Sequence, residues 1–240
     1  MAYTKFLYNF IENIMISNGY KSICDIGDQQ LNTIDPKDGE NKIHLDPSAQ
    51  LIRKYFIEKG FKYESIDMTD TCTQKLDLNY DKVPLKLINK FDVVTNIGTS
   101  EHIVNNLNVF RSMDYLCKQN GVMLNSIPLG HHFNHGFYSY NPQILWHLSR
   151  SNNYEIINQF IQIGDRYKNF PGNYSEFIMD TNMIEDDIFT SYNLVFVVRK
   201  KQKAFIAPVD VENVIFNKIK KKLFVKEFIY SPIRFLYRYI

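Results

Sequence analysis

Phe91-Asp-Val-Val-Thr-Asn-Ile-Gly-Thr-Ser-Glu-His-Ile103 decides the fold. Residues 91–96 form a mostly apolar run, the pattern of a strand covered on both faces. A polar turn follows, and Thr99 or Ser100 is placed to cap a helix reaching about Lys118. Upstream, Ser22-Ile-Cys-Asp-Ile-Gly27 is a short apolar strand ending in a glycine turn. Downstream, Gly121-Val-Met-Leu-Asn-Ser-Ile-Pro128 contains another strand at 122–127.

Working outward, strands and helices alternate. Residues 3–18 place Phe6, Leu7, Phe10, Ile11, Ile14 and Met15 at helical spacing, with Gly19 as a stop. Asp46-Pro47 opens a helix that Gly60 ends. Strands are expected at 63–67 and 75–78. Asn141-Pro142 opens a helix through Leu145, Trp146 and Leu148. A sixth strand is expected at 154–163, and a last one, antiparallel beside it, at 192–199. The polar stretch 165–190 reads as a loop. This order specifies an α/β fold, a doubly wound, mostly parallel, seven-stranded sheet.

Size and composition limit the function. A chain of 240 residues with 45% hydrophobic content supports one large α/β domain. Cys24, Cys72 and Cys117 are too few and scattered for a disulfide framework or zinc site, and suit a reducing cytoplasm. Residues 1–18 lack the features of a signal peptide, and no run is long and apolar enough to span a bilayer. The net charge of +2 is unevenly distributed: residues 199–240 carry 11 Lys and Arg against 3 Asp and Glu. The rest carries 17 against 23, so an acidic body of residues 1–200 precedes a basic tail, 201–240. Within the tail Val211, Ile215, Ile219 and Leu223 form a helical stripe among lysines, broken at Ser231-Pro232. Two partners fit such a tail: an anionic membrane surface, giving a membrane-peripheral protein, or an acidic protein face, through docking or self-association.

The blocks 22–27, 91–103 and 121–128 together resemble the Rossmann-like sheet of class I S-adenosylmethionine-dependent methyltransferases. The resemblance implies a cofactor, S-adenosyl-L-methionine, and a reaction, methyl transfer. It implies that Asp25 and Gly27 begin the glycine-rich turn that approaches the methionine part of the cofactor. Here Asp28, Gln29 and Gln30 follow, where the family has a further glycine. Asp67, at the end of the second strand, corresponds to the acid that accepts the ribose hydroxyls, with Asp70 as the alternative. Asp77 and Leu78 correspond to the adenine-reading pair. Asn96 corresponds to a residue touching the cofactor amino acid or the substrate.

Glu101 and His102 read as helix-opening residues or, less simply, as catalytic ones. After the fifth strand, His131-His-Phe-Asn-His-Gly-Phe-Tyr-Ser-Tyr140 concentrates histidines and tyrosines at the functional edge of the sheet. No carboxylate in this segment completes a ligand set, so no metal is expected. His135 is the candidate general base, because imidazole accepts a proton near neutral pH. The functional expectation is methyl transfer to a small-molecule, sugar or lipid-type acceptor. A non-catalytic binding or scaffold protein on the same fold is the alternative, favoured by the altered glycine turn. A nicotinamide-dependent dehydrogenase would need closely spaced glycines after Gly27. A nucleic-acid substrate is not expected: the body is acidic, and Asn96-Ile-Gly98 stands where amino-methylating DNA enzymes carry their Pro-Pro-Tyr type motif.

Overall fold

Eight strands form one twisted sheet in the order β3-β2-β1-β4-β5-β8-β6-β7. They are β1 (Ser22–Ile26), β2 (Lys62–Asp67), β3 (Gln74–Lys75), β4 (Phe91–Ile97), β5 (Cys117–Gly130), β6 (Glu155–Ile163), β7 (Arg166–Asn169) and β8 (Tyr192–Arg199). The computed structural model describes residues 3–29, 52–130, 134–163, 166–169, 192–202 and 204–208. Strands β1 to β5 pair in parallel, and β8 inserts antiparallel between β5 and β6. All seven expected strands are present. The eighth, β7, lies in the stretch read as a loop and pairs antiparallel with the end of β6, so a hairpin replaces part of that loop.

Strand alternation divides the core into two layers. Ile23, Val93, Leu124, Val195 and Val197 face helices α1 (Lys5–Ser17) and α2 (Ile52–Glu58). Cys24, Val94, Met123, Phe196 and Val198 face α3 (Asn106–Leu116) and α4 (Gln143–Ser151). Helix α1 buries Leu7, Ile11 and Met15 at four-residue spacing, and the Thr4 hydroxyl caps it by accepting from the Leu7 amide. A fully buried side chain such as Phe56 contributes roughly 1.5–3 kcal/mol over an exposed one.

The expected long helix after β4 begins later. Ser100–His102 form one 3-10 turn, the chain extends at Ile103, and the Asn105 side chain caps α3 by accepting from the Asn108 amide. The Ser100 side chain is bonded elsewhere, to Asn96 and Tyr140, and cannot cap.

The chain divides into two units, Met1–Ala207 and Pro208–Ile240. Within the first, residues past β8 are tied to the sheet and helices. Lys200 is 1% exposed and pairs with Asp114, and the Ile206 amide donates to Asn152 Oδ1. The basic stripe from Val211 lies outside the described residues, as do His131, His132 and the Asp46-Pro47 helix start.

Candidate functional site

The chain moves from β1 outward through β2 and β3, then returns to place β4 on the other side of β1. This reversal opens a crevice at the carboxyl ends of β1 and β4, where open α/β sheets bind ligands. Gly27, Asp67 and Ile97 to Ser100 lie at that edge.

Gly27 has φ +97°, a backbone conformation that side chains resist. A β-carbon there would lie 2.3 Å from Thr99 Oγ1 and 2.5 Å from Gln29 Nε2. These two groups hydrogen-bond each other at 2.7 Å and form a bridge over the glycine. The next residue turns inward. The Asp28 carboxylate accepts from Arg53 at 3.2 Å, Ser65 at 2.9 Å and Thr71 at 2.6 Å, and its side chain is 1% exposed. Its amide donates to Asp67 Oδ2 at 2.7 Å. The substituted glycine turn is therefore held by a buried ion pair that sequence reading missed.

Asp67 ends β2 beside this turn. Its other oxygen accepts the Met68 amide at 2.6 Å and the Thr69 amide at 3.4 Å. A carboxylate offers about four acceptor positions, so capacity for a further donor remains. Asp70 points to Lys75 at 2.7 Å.

Asp25 faces the opposite way. It shares strand parity with Ile23, which places its carboxylate on the α1 side of the sheet. Tyr3 and Tyr63 each donate to it at 2.6 Å, and the Thr95 hydroxyl also donates. Burial drives its pKa up to about 7, although the two tyrosine hydrogen bonds pull the other way.

Asp77 and Leu78 follow β3. The Asp77 carboxylate accepts from the Asn79 amide at 2.9 Å and the Asn79 side chain at 3.1 Å, while its own amide donates to Asp81. Leu78 is buried in the α3-side core, and its carbonyl accepts from Asn108.

Asn96 anchors a polar network at the end of β4. Its side-chain amide donates to Ser100 Oγ at 2.9 Å and Asn125 Oδ1 at 3.0 Å, and its oxygen accepts the Ser100 amide. Tyr140 donates to Ser100 Oγ and Asn106 Oδ1, and burial raises its pKa to about 12. The Phe137 amide donates to the Glu101 carbonyl at 2.6 Å. The network joins β4, β5 and the segment 134–140 into one ledge.

On that ledge Glu101 is 0% exposed. The 134–140 segment holds no carboxylate, but the fold supplies this one. His135 Nε2 lies 3.5 Å from Glu101 Oε1, and the His102 ring stands edge-on to His135 with centroids 4.8 Å apart. Burial raises the Glu101 pKa, opposed by its own backbone amide and by His135. Burial lowers the His102 pKa, with the charge of His135 adding to the effect. Glu101 and His102 sit in the 3-10 turn and so do not open a helix as the sequence suggested.

Of the residues singled out from sequence, Gly27 and Asp67 meet directly through Asp28, and Asn96 lies on the neighbouring strand. Asp25 supports the same strand from behind. Asp77 and Leu78 build the loop after β3, and His135 stands on the ledge beyond β4. Arg53, Gln29, Thr99 and Glu101 were missed as partners because the pairs Arg53–Asp28, Gln29–Thr99 and Glu101–His135 each join residues 25 or more apart in sequence.

No protein-family model and no curated protein sequence matches the chain. Solved structures do. TehB from Haemophilus influenzae aligns with a TM-score of 0.50 at 10% identity, over 80% of this chain and 62% of that one. Burkholderia thailandensis 1,6-didemethyltoxoflavin-N1-methyltransferase, with 1,6-didemethyltoxoflavin and S-adenosylhomocysteine bound, aligns at 0.46 and 12% over 80% and 76%. Haemonchus contortus phosphoethanolamine N-methyltransferase 2, in complex with S-adenosyl-L-methionine, aligns at 0.44 and 11% over 80% and 53%. At such identities the likeness is one of fold: the chain has the class I methyltransferase fold.

Proposed function

We propose that this chain transfers a methyl group from S-adenosyl-L-methionine to a small-molecule acceptor, with the cofactor seated at the carboxyl ends of β1, β2 and β4. The observation that carries this reading is the direct bond from the Asp28 amide to Asp67, which sets an acidic acceptor beside a positive-φ glycine turn at the sheet's switch point. Asp67 is assigned to the ribose hydroxyls. Gly27 gives close backbone approach to the amino-acid part, once the Gln29–Thr99 bridge opens. Asp77 and the Leu78 amide are assigned to the adenine. Asp25 and Asn96 fix the ends of β1 and β4 that frame the pocket.

The cofactor supplies a methyl group already electrophilic on a sulfonium, so the protein's task is alignment and proton removal. His135 stands on the acceptor side. Its imidazole takes the proton released as the acceptor atom bonds to the methyl carbon, and the Glu101 carboxylate 3.5 Å away stabilises the resulting cation. His135→Ala is expected to lower turnover while leaving cofactor affinity nearly unchanged; equal loss of both would reassign His135 to structure.

Calorimetric titration of the full chain with S-adenosyl-L-methionine and S-adenosylhomocysteine tests the reading. One saturable site is expected, weakened by about 1–3 kcal/mol in Asp67→Ala. One observation favours a second reading, a non-catalytic binding protein: the Gln29–Thr99 bridge fills the space over Gly27. Absence of binding in the titration would select it.

A further inference from the structure

We propose that Glu101, His102 and His135 form a binding site for a divalent first-row transition-metal ion at the carboxyl edge of the sheet. One ligand atom from each residue lies within 4.8 Å of the others. Two neutral imidazoles and one carboxylate make a donor set of net charge −1. Metal–ligand bonds of about 2.0–2.2 Å need donor atoms roughly 3–4 Å apart, so closure by about 1–2 Å completes the site. His102 is exposed and the His135 side chain is 35% exposed.

The strongest argument is the carboxylate. Glu101 is fully buried, and among the described residues neither of its oxygens has a hydrogen-bond donor. A buried carboxyl without such partners is costly when ionised, and protonation, pairing or metal coordination relieves that cost. His135 Nε2 at 3.5 Å is an ion-pair contact when that ring is charged, and a ligand-pair geometry when it is neutral.

The backbone holds the arrangement in place. Gly136, at φ +66°, lets the 134–140 segment press against the 3-10 turn, where a β-carbon would lie 2.8 Å from the Glu101 carbonyl oxygen. The Phe137 amide bonds that same oxygen, and Tyr138 donates to the Val104 carbonyl at 2.7 Å. Two loops, one after β4 and one after β5, are thus fastened on either side of the three side chains. Three protein ligands leave coordination positions open to water or to an acceptor oxygen. Imidazole with carboxylate favours zinc, iron, cobalt or nickel over magnesium or calcium.

The site stands on these residues alone and does not depend on methyl transfer. On the methyl-transfer reading, a bound cation would occupy the imidazole nitrogen that otherwise faces Glu101 and would supply Lewis-acid activation in place of proton acceptance.

The test uses the full chain, stripped with a chelator and titrated with Zn(II) by calorimetry and with Co(II) by visible absorption. One equivalent is expected to bind saturably, with Co(II) d–d bands showing nitrogen and oxygen ligation. Glu101→Gln, His102→Gln and His135→Gln are each expected to weaken binding at least tenfold. Circular dichroism and melting of the stripped variants check folding. Because His102 is exposed, its variant remains informative if Glu101→Gln misfolds. Absence of a saturable site in the parent overturns the proposal. So does parental affinity in a folded His102→Gln or Glu101→Gln variant, which would assign the ion to other histidines.

Discussion

Asp25 is a carboxylic acid fully enclosed between a sheet and a helix, and its protonation is coupled to folding. Its folded pKa, about 7, lies above the ordinary carboxylate range near 4. Below about pH 4 both folded and unfolded chains hold the proton, and the contribution to stability is complete. Between about 4 and 7 only the folded chain holds it, so stability falls as pH rises through this window. The full difference is on the order of 4 kcal/mol at about 1.4 kcal/mol per pH unit. Asp25→Asn cannot ionise; it keeps one of the two oxygens that accept from Tyr3 and Tyr63, and its amide nitrogen donates to the hydroxyl oxygen of the other tyrosine. The expected result is a stability profile that is flatter than the parent's between pH 4 and 7, measured by urea unfolding at fixed pH values. A variant with the parent's slope would place the titration on another group.

At the scale of elements, the turn after β1 and the turn after β4 act as a pair, joined by the Gln29–Thr99 bridge. The methyltransferase resemblance calls for a glycine in this stretch, and Gln29 fills the space such a glycine would leave open. Gln29→Gly removes one neutral hydrogen bond, worth about 1 kcal/mol, that the proposed seating of the cofactor would have to break. Cofactor binding by the variant is expected to tighten severalfold in calorimetry; weaker binding would make the Gln29 amide a ligand of the cofactor. The strands and α1 were legible from sequence because their signals are local: the apolar run in β4, the four-residue spacing of Leu7, Ile11 and Met15. The inward side of Asp25 was also encoded, in its shared parity with Ile23. The start of α3 was not. Ser100 is a good cap by type, but Asn96 and Tyr140 engage its hydroxyl, and Tyr140 comes from 40 residues away. The Glu101–His135 pair was hidden for the same reason, since no periodicity joins two loops that follow different strands. Strand β7 escaped because four residues with a single aromatic, Tyr167, carry no alternation strong enough to separate a strand from a loop.

Over the whole molecule, the last ties among the described residues that fasten the chain to its α/β body come after β8. Lys200 Nζ reaches Asp114 Oδ2 at 3.2 Å and the carbonyl of Cys117 at 3.1 Å, while Tyr154 donates to the other oxygen of Asp114. Breaking a buried pair by removing one partner costs about 3–5 kcal/mol, because the remaining charge stays buried. A chain ending after Arg199 should therefore melt roughly 10 °C lower, at about 2–4 °C per kcal/mol for this size. A chain ending after Pro208 keeps Lys200 and the Asn152–Ile206 contact, and should melt within a few degrees of the full length. That second truncation removes the lysine-rich stripe and leaves an acidic body. Sedimentation with anionic vesicles at low salt then separates the two partners that the tail's charge allows. Each basic residue near an anionic surface contributes about 1 kcal/mol, screened by salt. Vesicle binding by the full chain alone, lost in high salt, assigns the stripe to a lipid surface. Absence of vesicle binding, with a change in oligomeric state on truncation, assigns it to protein contact. Equal melting of the two truncated chains would show that Lys200 does not hold the body together.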